Sequence, residues 1–444
     1  MDVPQCASKY GPLATETQMN FEELFGLKTA VLVAVCSIVW THAAEAQFTQ
    51  FTPPGTFIGR TISRSEIVER AMQDSRWKLG RVYFDPWAAI RNLSYTDTTE
   101  RGESQLTATV GAGVRGYTAV GSEMILALHV LPEYVWWQDD SERNRWNGRY
   151  GLGLFGDLGR TGMELSATRQ DDAVFFSQEF EEKVNTRLDE AEAVFDIEVG
   201  GGFSVVLGGT LRAIRYLDSP EGFVDLSVVD RDEQFFRLLV DIPLPRGFRL
   251  GVGAEASQAE FDPGMSDRSN SGTSPVLTAD YETSSFFFRA NLLYLDLSPD
   301  GPDSRFVDYS GLAGSAELAW RAWNRLEPQI YARNNLVYSF SEEWAYFDSP
   351  TAGLALRIAM TRSIWVRVFG ETGVNDYTPF EVSEVDRSDD FNTYGADIGF
   401  AFGKARFSVG AWSTDYDSNI PIFDRTTNGI RANFGISTGG GPWG

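Results

Sequence analysis

The chain has 444 residues, with 62 acidic side chains against 38 basic ones and a formal charge of −24. Its cysteines are Cys6 and Cys36 and its histidines are His42 and His129. Beyond residue 46 that excludes disulfides, cysteine-ligated metals and any multi-histidine metal centre. A chain this acidic repels phosphate, so no nucleic-acid partner is expected.

In chain order, the first expected element is an export signal. Lys28 precedes an apolar run from Thr29 to Trp40, and small residues then lead to Ala44-Glu45-Ala46. A basic start, an apolar run and an A-x-A site describe a secretory signal peptide. Cleavage is expected after Ala46, so residues 1–46 form the leader, with Met19 as an alternative start. The run is short for a helical span of ~20 residues. Val35 before Cys36 does not suit a lipoprotein site. No later segment approaches ~18 unbroken apolar residues, so the exported chain is either soluble or crosses a membrane as strands.

Residues 47–80 read as a periplasmic arm, polar at first, with Pro53, Pro54 and Gly55. A short helix is expected over about residues 64–75. Ser63 or Ser65 caps it, and Glu66 and Glu69 lie in its first turns. Ile67, Ala71 and Met72 share one side, and a helix this short needs a surface to dock on.

From Arg81 to about residue 437 the texture is period-2 alternation. Leu106, Ala108, Val110, Ala112 and Val114 alternate with Gln105, Thr107, Thr109, Gly111, Gly113 and Arg115. Phe236, Leu238, Val240 and Ile242 oppose Arg237 and Asp241. In RLEPQIYARNNLVYSF (residues 325–340), Leu326, Ile330 and Leu336 interleave with Glu327, Gln329, Arg333 and Asn335. Such a strand has two unlike faces, and the pattern alone does not say which looks inward.

Strand length and turn spacing decide it. The segments run to roughly 10–15 residues, about what a tilted membrane-crossing strand needs. Short turns fall near residues 120, 160, 201, 245, 324, 361 and 403. Long polar loops fall at 98–104, 139–145, 178–188, 218–231, 262–279, 341–350, 379–390 and 417–426. Short turns on one side and long loops on the other mark an outer-membrane barrel. The fold class expected is therefore all-β: one antiparallel transmembrane barrel over residues 81–437, with a Gly-rich tail at 438–444. The apolar faces, Leu326, Ile330 and Leu336 among them, then meet lipid. Tyr134, Trp136, Trp137, Trp320 and Trp323 suit interfacial girdles. The alternation fails once, between residues 261 and 322. Seventeen strands can be counted, and an even total of 16 or 18 is expected.

The opening strand WKLGRVYFDPWAAIRNLSY, preceded by a leader and a helix, resembles bacterial outer-membrane barrels of the beta-barrel porin-2 kind. More distantly it is similar to exporters of alginate-like exopolysaccharide. The resemblance implies an outer-membrane location, with lipid, lipopolysaccharide and the barrel assembly machinery as partners and a transport role. Such barrels end on an aromatic residue. Here Phe434 or Trp443 would have to serve.

Catalysis is not expected, because only His129 could act as a base and it falls in mid-strand on the polar face with Glu133. The two triple-glycine runs lack a phosphate-loop lysine. No cofactor is expected. Acidic loop groups (Asp139, Asp140, Glu142; Asp230, Asp232, Glu233; Asp386, Asp389, Asp390) are candidate Ca²⁺ or Mg²⁺ ligands, against the plainer reading of a solvated acidic surface. The remaining chemistry lies in the lumen. Expected lumen-lining residues are Asp85, Arg91, Arg115, Glu133, Arg149, Arg212, Arg237, Asp241, Arg321, Glu327, Arg333, Arg367, Glu371, Asp397 and Arg431, with Asp157, Asp196 and Glu198. Arginine takes carboxylates bidentately. Such a wall suits hydrophilic anions or an acidic polysaccharide, or simply stiffens the barrel through internal Arg–acid pairs. Two functions are expected: a channel passing solutes or exporting a polysaccharide, or a non-conducting barrel that anchors surface components through its loops.

Overall fold

The computed structural model describes residues 64–437 apart from residue 76 and short stretches at 99–102, 139, 176–178, 180–182, 220–224, 262–267, 302–303, 322–324, 342 and 381–385. The leader, the first part of the arm and the tail lie outside the described residues.

Helix α1 (Arg64–Asp74) is followed by β1 (Trp77–Leu79), β2 (Val82–Thr98), β3 (Glu103–Val120), β4 (Met124–Trp137), β5 (Arg145–Leu158), β6 (Thr161–Phe175), β7 (Lys183–Gly200), β8 (Phe203–Tyr216) and β9 (Arg231–Pro243). The second half holds β10 (Phe248–Phe261), β11 (Asn270–Glu282), β12 (Phe286–Pro299), β13 (Tyr309–Trp320), β14 (Leu326–Tyr338), β15 (Trp344–Ala359), β16 (Ile364–Pro379), β17 (Ser388–Phe402), β18 (Ala405–Ser418) and β19 (Arg425–Ser437). Strands β2 to β19 form a closed antiparallel barrel of 18 strands, each paired with its sequence neighbour, and β19 returns to β2 through Ile430↔Tyr95 and Ile436↔Ala88. That ladder ends at Ser437↔Trp87. Below it β1 takes the same edge of β2, from Leu79↔Val82 to Trp77↔Phe84. Closure leaves no long free edge.

The faces are inside-out relative to a soluble sheet. Along β4, Leu128, Val130, Pro132, Tyr134 and Trp136 are exposed, while Ala127, His129, Leu131, Glu133, Val135 and Trp137 are buried. The exposed set is apolar and the buried set includes a carboxylate. That is the order lipid imposes from outside and a polar interior from within. Trp137, expected in a girdle, instead points inward with the Arg143 guanidinium 3.8 Å from its ring centroid. Connections at one end span two to five residues and at the other four to fourteen. The short-turn end is the periplasmic one.

The failed alternation has a specific cause. A turn at 283–285 and a loop at 300–308 were missing from the sequence reading, and residues 270–279, read as loop, form most of β11. The segment NSGTSPVLTADYE is rich in Ser, Gly and Thr with Pro275, so its first half shows no apolar face.

One expected face is corrected. Leu326 and Ile330 lie on the outer face, but Leu336 is buried. The β13–β14 ladder stops at Gly314↔Asn334. Above that point β14 parts from β13, while β15 stays paired with β16 up to Trp344↔Pro379, and the β14–β15 hairpin packs against the elements of the long-loop mouth. Leu336, Tyr338 and Tyr346 pack on one side with Phe261, Leu297, Phe306 and Tyr309. On its other side Val337 and Phe347 meet Tyr377, Phe423 and Ile420. Both faces of the hairpin are thus covered. Glu179 ties its tip to the β6–β7 loop, accepting from Ser339 Oγ (2.8 Å) and Phe340 N–H (2.9 Å).

Candidate functional site: the charged lumen

Period-2 geometry puts every second side chain of each strand into the lumen, and cross-strand register stacks them at matched heights. The expected lumen residues fall on this inward face. Asp85 stands opposite Arg115, which stands opposite His129. Arg212 stands opposite Glu190 on one side and Glu233 on the other. Arg367 stands opposite Asp397. Arg321 is the exception. It lies just past β13 in a periplasmic turn, with its side chain mostly exposed, and donates from Nε to Glu327 Oε2 at 3.0 Å. It belongs to the rim, not the wall.

Most of these charges answer one another. Arg91 donates to Glu133 through Nε (2.8 Å) and Nη2 (2.5 Å), and to Asp172 Oδ1 at 2.9 Å. Arg149 shares Asp172 at 2.5 Å. Arg115 donates to Asp85 Oδ2 at 3.2 Å, and both are buried. Arg212 bridges Glu190 and Glu233, and Arg231 also takes Glu233, at 2.6 Å. Arg237 pairs with Glu255, and Arg333 with Glu371 at 3.0 Å, where the Tyr331 hydroxyl also donates, at 2.8 Å. Arg431 holds Asp397 at 3.1 Å, leaving Arg367 at 3.8 Å from it. Asp241 makes no ion pair among the described residues. Four of the acids considered as metal ligands are likewise paired with arginine: Asp140 with Arg143, Asp232 with Arg215, and Glu233 and Asp389. Glu233 is in β9 with Arg212 and Arg231, and Asp389 is in β17 with Arg387 and Arg425. No group of three potential ligands is found among the described residues.

A cavity of about 840 Å³ lies in the lumen, lined by Arg91, Arg115, His129 and Arg149 on one arc and by Arg357, Trp365 and Arg406 on another. Arg64 of α1 and Arg362 of the β15–β16 turn complete it. The Trp365 ring fits because it lies over Gly399, where an added Cβ would come within 2.2 Å of it. The Arg357 guanidinium sits 5.3 Å from the Trp365 ring centroid, a cation–π geometry. Arg357, Arg362 and Arg406 make no ion pair among the described residues, unlike the deeper arginines. These three and Arg64 were absent from the sequence-based set. The signal was present for Arg357, which continues the inward alternation Gly353, Ala355, Arg357 of β15. Arg357 also faces Arg367 across the β15–β16 ladder, a like-charge juxtaposition that favours an anion between them.

No protein-family model matches the chain, and no curated protein matches it. Solved structures do. The chain is similar to OccK2 (OpdF) of Pseudomonas aeruginosa at 12% identity and a TM-score of 0.50, over 81% of this chain and 98% of that one. It is similar to OpdK of the same organism, solved with vanillate, at 10% identity and a TM-score of 0.50, over 80% of this chain and 98% of that one. OccK2 solved in complex with glucuronate matches at 12% identity and a TM-score of 0.50, over 81% of this chain and 99% of that one. The chain thus has the fold of these outer-membrane porins.

Proposed function

We propose that the protein is a channel for small anionic solutes, carboxylates in particular. The observation that carries this is the charge state of the cavity: Arg357, Arg362 and Arg406 face it without an acidic partner among the described residues, while Arg91, Arg115 and Arg149 are already paired with Glu133, Asp85 and Asp172. A guanidinium left open toward an aqueous cavity binds a carboxylate in its fork, and Trp365 offers a flat face for an attached ring. Vanillate and glucuronate, found with OpdK and OccK2, are both carboxylates on a ring, which supports the reading.

Nothing in the barrel favours polysaccharide export. The long-loop mouth is narrowed by the β14–β15 hairpin and its aromatic cluster, and α1 occupies part of the opposite end. The site is read as a binding surface and not as an enzyme's. Liposome swelling tests the proposal. Barrels in lipid vesicles should admit small sodium carboxylates faster than neutral solutes of equal size. Equal rates for both would overturn the anion reading, and a folded barrel that admits neither would overturn the channel.

A further inference from the structure

Helix α1 lies inside the barrel. Val68 and Ala71, with Ile67 and Met72 beside them, pack on Tyr117 of β3, Ala127 of β4 and Phe155 of β5, all on the lumen face. The amino-terminal turn reaches the next stretch of wall. Ser65 donates to Glu164 Oε1 from its N–H at 3.1 Å and from its hydroxyl at 3.3 Å. Arg64 is ion-paired with Glu192 and donates to Ser166 Oγ at 3.3 Å. The helix thereby alters the charge of the pore. Strands β6 and β7 turn four carboxylates inward near the periplasmic end: Glu164, Glu192, Asp196 and Glu198. Asp196 and Glu198 make no ion pair among the described residues. In a ring of 18 strands β7 faces β16, so this acidic arc stands across the lumen from Arg357, Arg362 and Arg406. With α1 seated, Glu192 is answered by a guanidinium and Glu164 by the positive end of a helix. Without α1, all four carboxylates would face the solute.

We propose that α1 is the selectivity element of this channel, with Arg64 as its specificity-determining residue. Seated, the helix covers Glu164 and Glu192 and presents Arg64 to the cavity, so the pore prefers anions. Unseated, it leaves a wider pore whose acidic arc is bare, and the preference moves toward cations. The seating is modest, one short apolar strip and four hydrogen bonds from Arg64 and Ser65, so the helix can be released without dismantling the wall. The inference rests on the channel reading above.

The test uses the full chain in planar bilayers under a potassium chloride gradient, reading conductance and reversal potential. Folding of each variant is checked first by heat-modifiable electrophoretic mobility. Arg64→Gln should lower the anion-to-cation permeability ratio several-fold with little change in conductance. The charge swap Arg64→Glu with Glu192→Arg, which restores the pair, should bring the ratio back toward wild type. Val68→Asp with Ala71→Asp should raise conductance and move the ratio further toward cations; if that variant does not fold, the two at Arg64 still decide. A wild-type barrel that conducts, with an unchanged ratio in Arg64→Gln, overturns the role of α1 alone. A silent wild-type barrel overturns the channel reading and this inference with it.

Discussion

Arg91 grips the fully buried Glu133 through two hydrogen bonds across β3, Nε to Oε1 at 2.8 Å and Nη2 to Oε2 at 2.5 Å. The reach depends on Gly111, which stands opposite Glu133 in the ladder and where an added Cβ would lie 2.6 Å from Glu133 Cγ. Removing one partner of a buried ion pair leaves the other desolvated and unanswered, at a cost of ~3–5 kcal/mol. Glu133→Ala is therefore expected to lower the temperature at which the folded band is lost on heated gels. Gly111→Val should act in the same direction by pushing the carboxylate off Arg91. An unchanged transition in both would mean that the pair adds nothing to the barrel.

The two faces of the wall can be told apart by lipid contact. Leu354 is 61% exposed on the outer face of β15, whereas Leu336, of the same outward parity on β14, is 1% exposed inside the mouth. With no native cysteine after Cys36, Leu354→Cys and Leu336→Cys each give one thiol beyond the expected leader for a fluorophore. Brominated lipid should quench the label at 354 and leave the label at 336 bright. Leu238, exposed on β9, extends the same logic to assembly. Leu238→Arg should cost ~2–4 kcal/mol near the midplane and reduce the folded fraction, while Leu238→Phe should not.

Most of the wall was legible in the sequence because lipid and lumen act on alternate residues, and a period of two survives whatever the strand packs against. What escaped was set by tertiary contacts. The first half of β11 hides because Ser271, Gly272, Thr273 and Ser274 carry no apolar face. Leu336 was given the right parity and the wrong surroundings, since parity does not reveal that the ladder to β13 stops at Gly314. The lumen charges were legible as a set, but their state was not: whether an arginine is spent on Glu133 or left open like Arg406 depends on which strands close the ring beside it. The docking of α1 was foreseen as a need, while its seat inside the barrel follows from Tyr117, Ala127 and Phe155, which no local pattern marks.

The mouth should respond to pH through Glu179. Burial in the loop contact pushes its carboxyl above the usual range, against the pull of the Arg387 guanidinium, the Phe340 N–H, Ser339 and Arg268. A carboxylic acid whose pKa is raised by a contact weakens that contact while ionised. The penalty is present above the raised value and is lost as pH falls through it toward the ordinary carboxylate range. Amide hydrogen exchange in the hairpin at 336–347, corrected for the intrinsic pH dependence of exchange, should therefore show stronger protection on the acid side. Glu179→Gln should flatten that trend. A trend that persists unchanged in Glu179→Gln would assign the response to another group.

The open arginines of the cavity carry the sharpest expectation. Arg357 and Arg406 make no ion pair among the described residues, so replacing them unpairs no acid and should leave the barrel as heat-resistant as before. Their charges act on ions in an aqueous pore, where the local potential sets which sign accumulates. Arg357→Gln with Arg406→Gln should thus lower anion permeability and slow carboxylate entry into liposomes, with neutral solutes unaffected. Arg237→Gln is the contrasting variant. Its partner Glu255 is buried, so its loss should appear in thermal stability more than in selectivity. If the double variant at 357 and 406 kept the wild-type reversal potential, solute recognition would have to be sought among the deeper arginines at 91, 115 and 149.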